Sequence, residues 1–183
     1  MEFRVNTPSR RTKQKKYVNY HAYKGALKAD FHSRCGYCDD LECFPGVHFQ
    51  IDHFVPKVVM RTIKENDYNN LVYSCPRCNR AKWDKWPTQN EMIHNDGKEG
   101  FIDPCDPKYD QQFKRNERGE IIPTTQLGNW MWKELDLGNA AHRIIWTLEQ
   151  LKKEMDRICQ TEDSPMATLW HQYSTFIAQI CGT

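Results

Sequence analysis

The sequence lacks the features of membrane and secreted proteins. Among its 183 residues, no apolar run approaches the roughly 18 residues that a membrane-spanning helix requires. No hydrophobic segment follows the positive charges near the N-terminus, so we expect no signal peptide and a cytoplasmic protein. A strong net charge is also lacking, because the formal charge is only +2. Bulk electrostatics therefore neither require nor exclude a polyanionic partner.

Apolar content is modest as well. Hydrophobic residues make up 39% of the chain, although six Trp, eight Tyr and eight Phe compensate through the large area that each aromatic ring buries. A chain of this length suits one medium domain, or a small core with appended helices. The sequence contains no internal repeat and no low-complexity block. We therefore expect a modest core that needs further support.

Charge is distributed unevenly along the chain. Residues 1–28 contain eight Lys or Arg, whereas Glu2 is the only acid among them. This composition predicts a flexible basic arm over residues 1–16, which could track phosphates and release counterions. A solvated tail without a partner is the alternative interpretation.

Hydrophobic periodicity predicts a compact unit in the first half of the chain. Aromatic and aliphatic residues at steps of three and four indicate an amphipathic helix over residues 17–32. Residues 47–53 alternate as a strand does, and residues 71–73 form a second, antiparallel strand. Because proline suits the first turn of a helix, Pro76 predicts that a helix follows, from Arg77 to about Lys85. The local order is strand, loop, strand, helix.

The second half of the chain is predicted to be mainly helical. Residues 112–122 resemble a hairpin with a turn at residues 116–119. Asn139 can cap a long helix, and Ser164-Pro165 is a suitable start for a last one. The apolar stripes of these two helices indicate core or an interaction face. The expected fold is therefore α+β and mostly helical, with an N-terminal helix and a C-terminal helical extension.

Four of the eight cysteines form two C-x-x-C pairs, Cys35/Cys38 and Cys75/Cys78. Four thiolates in two close pairs can bind one tetrahedral Zn²⁺ with no open coordination position, so this ion would be structural. Without a signal peptide, zinc-bound thiolates are favoured over disulfides, and buried free cysteines are the remaining alternative. Buried or free thiols are the simplest interpretation of the other four cysteines, which are Cys43, Cys105, Cys159 and Cys181.

A second group of polar residues lies around these pairs. Asp52-His53 falls between them, and Asn79 follows the second. Carboxylate and amide oxygens suit a hard cation such as Mg²⁺ or Mn²⁺. A neutral imidazole, with a pKa of about 6.5, can deprotonate a water that attacks a phosphodiester. Strand alternation places Asp52 and His53 on opposite faces, so a shared site requires the strand to twist or end there.

The runs Ile51 to Lys57 and Asn69 to Lys82 resemble the HNH endonuclease family of the ββα-metal (His-Me finger) group. The similarity covers roughly a quarter of the chain. The resemblance implies a ββα-metal core and makes His53 the general base, with Asn70 steadying the loop and the catalytic histidine. Asn79 occupies the last motif position, where the family has His or Asn. Asp52 and Asn79 would then hold one Mg²⁺ or Mn²⁺.

Basic and aromatic residues near the motif are candidates for substrate contacts. Lys57, Arg80 and Lys82 could bind substrate phosphate, although a solvated face is the alternative for most of them. Trp83 and Trp86 could stack on a base, with core packing as the alternative for both.

Further resemblance extends beyond the motif. Asp103-Pro104-Cys105, the hairpin at Gly119 and Leu135-Asp136-Leu137 are similar to the downstream part of small bacterial HNH proteins of phage-defence and retron-associated systems. Some of those proteins work beside an ATPase subunit, so the resemblance implies an ATPase partner for this chain.

The sequence therefore predicts three regions. These are a basic arm (1–16), a nuclease core with the zinc site (17–100), and a hairpin with a helical extension packed on the core (101–183). The expected function is metal-dependent hydrolysis of DNA, favoured over RNA, in anti-phage defence. The alternatives are a zinc-stabilised module that binds nucleic acid or protein, and an effector subunit that is active only with its ATPase partner. Self-association is left open, and no membrane partner is expected.

Overall fold

The computed structural model describes residues 1–42, 48–159 and 165–181. It confirms a mixed α+β chain in which helices predominate and two small antiparallel sheets form, β1–β2 and β3–β4. The elements in chain order are α1 (Lys24–Asp30), β1 (Gln50–His53), β2 (Leu71–Ser74), α2 (Pro76–Lys82), β3 (Phe113–Arg115), β4 (Ile121–Pro123), α3 (Gln126–Glu134), α4 (Ala140–Cys159) and α5 (Pro165–Cys181).

Strands β1 and β2 and helix α2 form the predicted strand–strand–helix unit. The two strands pair in antiparallel register, with His53 opposite Leu71 and Gln50 opposite Ser74. Every residue of β2 is buried, and helix α1 packs on it. Because β2 lies between a helix and the core, its first three residues, Leu71, Val72 and Tyr73, form a continuous apolar run rather than an alternating pattern. Strand β1 begins at Gln50, and Val47 lies outside the described residues.

Helix α2 begins where proline predicts and ends earlier than expected. Pro76 occupies its first turn, where the missing N–H costs nothing, and the Cys75 side chain caps it by accepting from the Cys78 N–H. The helix was expected to reach about Lys85. It stops at Lys82 because Trp83 adopts a positive φ of 47°, which cannot continue a right-handed helix.

The N-terminal segment differs from the predicted flexible arm. Phe3 is 3% exposed and Arg4 is 7% exposed. The Arg4 guanidinium donates to the carbonyl oxygens of Gly36, at 3.0 Å, and Pro104, at 2.6 Å. Arg10 donates to the carbonyl oxygen of Leu71 at 2.8 Å. Arg4 and Arg10 therefore donate hydrogen bonds within the fold, because buried carbonyl groups require donors.

The N-terminal helix is also shorter than predicted. A 3-10 turn over Tyr20–Tyr23 leads into α1, which begins at Lys24 rather than Tyr17. The helix ends at Asp30, and His32 and Ser33 follow with φ values of 55° and 57°. Two successive left-handed residues reverse the chain direction and lead it to Cys35.

The C-terminal half forms the predicted hairpin and helices. Strands β3 and β4 pair in antiparallel register, Thr125 caps α3, and the Asn139 side chain accepts from the Ala141 N–H at the start of α4. The predicted cap at Ser164 lies outside the described residues. Helices α4 and α5 pack on each other. Within the described residues, no helix is both long enough and apolar enough to cross a membrane.

Candidate active site and metal centres

The four cysteines of the C-x-x-C pairs meet in the core. Their sulfur atoms all lie within 4.8 Å of one another, and the Sγ atoms of Cys38 and Cys75 are 3.8 Å apart. Zn–S bonds of about 2.3 Å place tetrahedral sulfur ligands about 3.8 Å from one another. All four residues are buried and carry free thiols. The donor set and its geometry therefore fit one structural Zn²⁺.

Two of the thiols would be costly to ionise without a metal. Burial raises the pKa of Cys38 and Cys78 well above the ordinary value. Burial also opposes ionisation of Cys35, but hydrogen bonds from the other three thiols outweigh it and lower the pKa of Cys35. Four thiolates require a divalent cation among them, which links metal binding to folding.

The first cysteine pair depends on Gly36 between its members. The Gly36 N–H donates to the Tyr73 carbonyl oxygen at 2.8 Å, which ties this turn to β2. A Cβ atom on Gly36 would lie 2.7 Å from a ring carbon of Phe31 and 2.9 Å from a methyl carbon of Val72. Because both distances are shorter than van der Waals contact, glycine is required by close approach rather than by its backbone angles.

His53 is the last residue of β1 and is held in one tautomer. Its Nε2 lies 2.8 Å from the carbonyl oxygen of Glu65, so Nε2 carries the proton and donates. Nδ1 makes no hydrogen bond with any described residue, which leaves its lone pair available. Burial lowers the pKa of His53 below 6.5, although the Glu65 contact opposes the shift. The imidazole is therefore neutral near pH 7, as a general base must be.

The surroundings of His53 combine one aromatic ring with an ion pair. The Tyr20 ring lies edge-on to the imidazole, with centroids 4.8 Å apart. The Lys57 ammonium lies 4.8 Å from the Tyr20 centroid and pairs with the Glu65 carboxylate. Lys57 remains about half exposed, so its ammonium is accessible beside the imidazole. Sequence reasoning did not find Tyr20 or Glu65, and Glu65 acts on His53 through a backbone atom that no side-chain pattern reveals.

Asp52 faces away from this group and toward helix α2. Its Oδ2 accepts from the Tyr37 hydroxyl at 2.5 Å and lies 3.1 Å from the Lys82 ammonium. Its Oδ1 makes no hydrogen bond with any described residue. Desolvation and the nearby Asp52 charge raise the pKa of Tyr37 well above 10, so the phenol remains a donor. Tyr37 thereby links the first cysteine pair directly to Asp52.

Lys82 was expected to contact substrate phosphate, and the structure corrects this expectation. The side chain is completely buried. Its ammonium donates to the His53 carbonyl oxygen at 3.0 Å and pairs with Asp52. A buried ammonium with these partners has no surface to offer a phosphate. Lys82 instead fixes the positions of Asp52 and His53 from the buried side of the site.

Asn79 lies on helix α2, which packs against the strand that carries Asp52. Its amide donates from Nδ2 to Oε1 of Gln50 at 2.6 Å. Gln50 and Asp52 lie on one face of β1, because alternate residues of a strand share a face. Asn79 and Lys82 are three residues apart on α2, and they contact Gln50 and Asp52 respectively. The two expected ligands of the hard cation thus come from facing elements, and a carboxylate oxygen and an amide oxygen fit Mg²⁺ or Mn²⁺.

Asn70 braces the chain after His53. Its Oδ1 accepts from the Val55 N–H at 2.8 Å, and its Nδ2 donates to the Val55 carbonyl oxygen at 3.0 Å. The Asn70 carbonyl oxygen accepts from the Phe54 N–H at 2.8 Å. Three hydrogen bonds from one residue fix the two residues that follow His53. The side chain contacts the backbone of the loop and makes no hydrogen bond to the imidazole.

The exposed face of α2 retains two unpaired cations. Arg77 and Arg80 are both exposed, and neither forms an ion pair with any described residue. Arg80 therefore remains available as the predicted phosphate contact. Trp83 follows on the surface, whereas Trp86 is buried in the core.

A second buried group lies next to the cysteines. His142, near the start of α4, places Nδ1 2.7 Å from Oδ2 of Asp40, and both side chains are almost fully buried. Cys38 contributes the third donor atom of this group, within 4.8 Å of the other two. Arg34 donates to Glu149 of α4 at 3.1 Å. Helix α4 is thus attached to the loop of the first cysteine pair.

Comparison with known proteins identifies the segment that contains these sites. Residues 34–85 match the HNH endonuclease family, which confirms the resemblance inferred from the motifs. The Septu protein PtuB of Bacillus mycoides (strain KBAB4) is 32% identical over 113 residues, an alignment that covers 50% of this chain and 38% of PtuB. The chain therefore spans less than two fifths of the length of this curated relative. No solved structure matches the chain.

Proposed function

We propose that this protein is a metal-dependent endonuclease that hydrolyses phosphodiester bonds of DNA. One observation carries the proposal. His53 is a neutral imidazole whose Nε2–H is committed to the Glu65 carbonyl oxygen and whose Nδ1 is unbonded, within a segment that matches a nuclease family. A histidine with a purely structural role would not need an unbonded Nδ1, whereas a general base needs one to accept a proton.

Each residue of the site has a role in the proposed reaction. His53 accepts the proton of the attacking water at Nδ1, and the Glu65 carbonyl oxygen stabilises the protonated ring through Nε2. Asp52 and Asn79 would hold the divalent cation, which when bound would stabilise charge on the phosphate and the leaving 3′ oxygen. Lys57 and Arg80 contact the flanking phosphates. The reacting phosphate would bind at the C-terminal end of β1, where the strand stops at His53.

The test is cleavage of a supercoiled plasmid in the presence of Mg²⁺ or Mn²⁺. We expect the wild-type protein to nick the plasmid and His53→Ala to lose at least about 100-fold in rate, as expected for loss of a general base. His171→Ala is the matched control, because His171 is exposed on α5 and distant in sequence from the motif. Zinc content and thermal unfolding should be unchanged in both variants.

Two results would contradict the proposal. Wild-type protein that cleaves neither DNA nor RNA with any divalent cation would favour the zinc-stabilised binding module. Equal activity of the wild type and His53→Ala would remove the proposed base. Cleavage of RNA but not DNA would retain the mechanism and change the substrate.

We also propose that the nuclease acts in anti-phage defence, next to an ATPase partner. The similarity to a Septu protein supports this role, as does the resemblance of the downstream segments to defence-associated HNH proteins. Helices α4 and α5 carry exposed apolar side chains, and the clearest are Ile144, Leu148, Leu151, Leu169 and Tyr173. Such a surface favours an effector subunit that needs a second protein.

Plaque assays test this role in cells. A strain that expresses the chain with a candidate ATPase partner should resist phage, and Leu148→Glu together with Leu151→Glu should abolish both resistance and co-purification of the ATPase. Retention of both properties in the double variant would contradict the assigned surface.

A further inference from the structure

The indole of Trp83 differs from the other five tryptophan side chains in having no role within the fold. Trp86 and Trp132 donate from their indole N–H to backbone carbonyl oxygens, and Trp170 donates to Asp156. The remaining two, Trp130 and Trp146, pack against Phe101 and Gly119. Trp83 is 69% exposed, and its side chain makes no hydrogen bond and no ring contact with any described residue.

The backbone at this position is also unfavourable for tryptophan. Trp83 has φ 47° and ψ −133°, a conformation that side chains with a Cβ adopt at a free-energy cost. Glycine is the residue that this backbone favours. Both the exposure and the backbone angles therefore disfavour tryptophan for folding alone. Positions where a sequence departs from local preference in this way are typically functional.

The neighbours of Trp83 indicate what its ring could bind. The Trp83 N–H donates to the carbonyl oxygen of Asn79, a proposed metal ligand. The backbone of Trp83 is therefore bonded to the last turn of α2, which carries Asn79. Arg80 lies three residues before it, and Arg77 lies one turn further back, both exposed and without an ion pair among the described residues. Asp84 is the adjacent acid. An exposed indole that follows two exposed arginines along the chain fits a nucleobase with its flanking phosphates.

We propose that Trp83 stacks on an unpaired nucleobase next to the scissile phosphate, so that the protein favours single-stranded or locally unpaired DNA over intact duplex. This inference rests on the proposed nuclease function. In intact B-form DNA each base is already stacked on its neighbours, so an indole reaches a base face without an unstacking cost where the strand is unpaired or at an end. Arg80 and Arg77 would then neutralise phosphates on the same strand.

Binding of fluorescein-labelled oligonucleotides tests the inference without cleavage. All measurements use the full chain carrying His53→Ala, with its zinc and without added Mg²⁺. In this background, Trp83→Ala should weaken binding of a single-stranded 12-mer by about 5- to 150-fold, the range seen when a stacking aromatic is removed. Binding of the matching blunt duplex should change less than about threefold. Trp83→Phe retains a ring and should retain most of the single-strand affinity.

Two further variants separate stacking from folding. Trp83→Gly removes the indole and suits the positive φ, so it should fold at least as well as the parent and lose the same affinity as Trp83→Ala. Met92→Ala is the control, because Met92 is an exposed apolar residue outside the motif. It should bind both oligonucleotides as the parent does.

The outcomes distinguish this inference from the proposed function. Unchanged single-strand binding in Trp83→Gly, or equal losses on single strand and duplex, would overturn the stacking role even if the wild type cleaves DNA. An equal loss in Met92→Ala would overturn it as well. If the His53→Ala chain binds neither oligonucleotide and the wild type cleaves nothing, both proposals fail together.

Discussion

The ammonium of Lys82 lies beneath the candidate site, between the Asp52 carboxylate and the His53 carbonyl oxygen. A buried charge is stable only when partners surround it, and removal of one partner leaves the other desolvated and unpaired. Lys82 thereby positions two residues of the motif without contacting substrate. Its role is structural, and it reaches the proposed chemistry only through Asp52 and His53.

Replacement of Lys82 by methionine should therefore destabilise the fold severely. Methionine fills much of the volume but leaves Asp52 without its cation, so we expect the free energy of unfolding to fall by about 3–5 kcal/mol. Lys98→Met, at an exposed position, should change it by less than about 0.5 kcal/mol. Urea denaturation of the zinc-loaded proteins measures both values. A loss below about 1 kcal/mol in Lys82→Met would show that the buried pair contributes little.

Residue identities in the motif could be predicted from the sequence, whereas their partners could not. The spacing of the two C-x-x-C pairs was sufficient to predict that four thiols converge. The same reasoning assigned Lys82 to phosphate, because an exposed lysine is the usual case. Burial of a lysine depends on what packs over it, here Asp52 and the β1 backbone. No pattern along α2 contains that information.

At the scale of elements, the strand–strand–helix unit was predictable and its boundaries were less so. Pro76 marks the start of α2 through its own geometry. The ends of α1 and α2 depend on left-handed residues, His32 and Trp83, at positions where glycine or asparagine would be the usual signal. Because histidine and tryptophan give no such signal, the predicted helices extend too far.

Two glycines in this region should respond oppositely to the same substitution. Gly36→Ala places a Cβ within 2.7 Å of Phe31 and 2.9 Å of Val72, so we expect a loss of about 1–3 kcal/mol from overpacking at the first cysteine pair. Gly25→Ala, in α1, meets nothing within 4 Å and should gain up to about 1 kcal/mol from helix propensity. Urea denaturation with zinc bound provides the comparison. A neutral Gly36→Ala would contradict the close approach at that turn.

At the scale of the whole molecule, distant segments meet at the first cysteine pair. Arg4 donates to the Gly36 carbonyl oxygen, and Arg115 donates to the Cys38 carbonyl oxygen at 2.9 Å. His142 and Glu149 of α4 pair with Asp40 and Arg34. The predicted extension over residues 101–183 thus contacts the motif through this loop. The packed N-terminal segment could not be predicted, because six basic residues among the first 16, with few apolar ones, resemble a solvated tail.

We propose that two different ions bind at separate sites of this molecule. We place a structural Zn²⁺ among the four cysteine thiolates and a hard divalent cation between β1 and α2. Anomalous diffraction from a crystal grown with zinc and soaked in Mn²⁺, with data at both absorption edges, locates each ion independently. His53→Ala protein with a bound oligonucleotide would supply phosphate oxygens for the second site without turnover.

We predict a zinc peak about 2.3 Å from the Sγ atoms of Cys35, Cys38, Cys75 and Cys78. We predict a manganese peak within about 2.3 Å of an oxygen of Asp52 and an oxygen of Asn79. A manganese ion bound elsewhere, or no manganese at these residues in the presence of the oligonucleotide, would contradict the account.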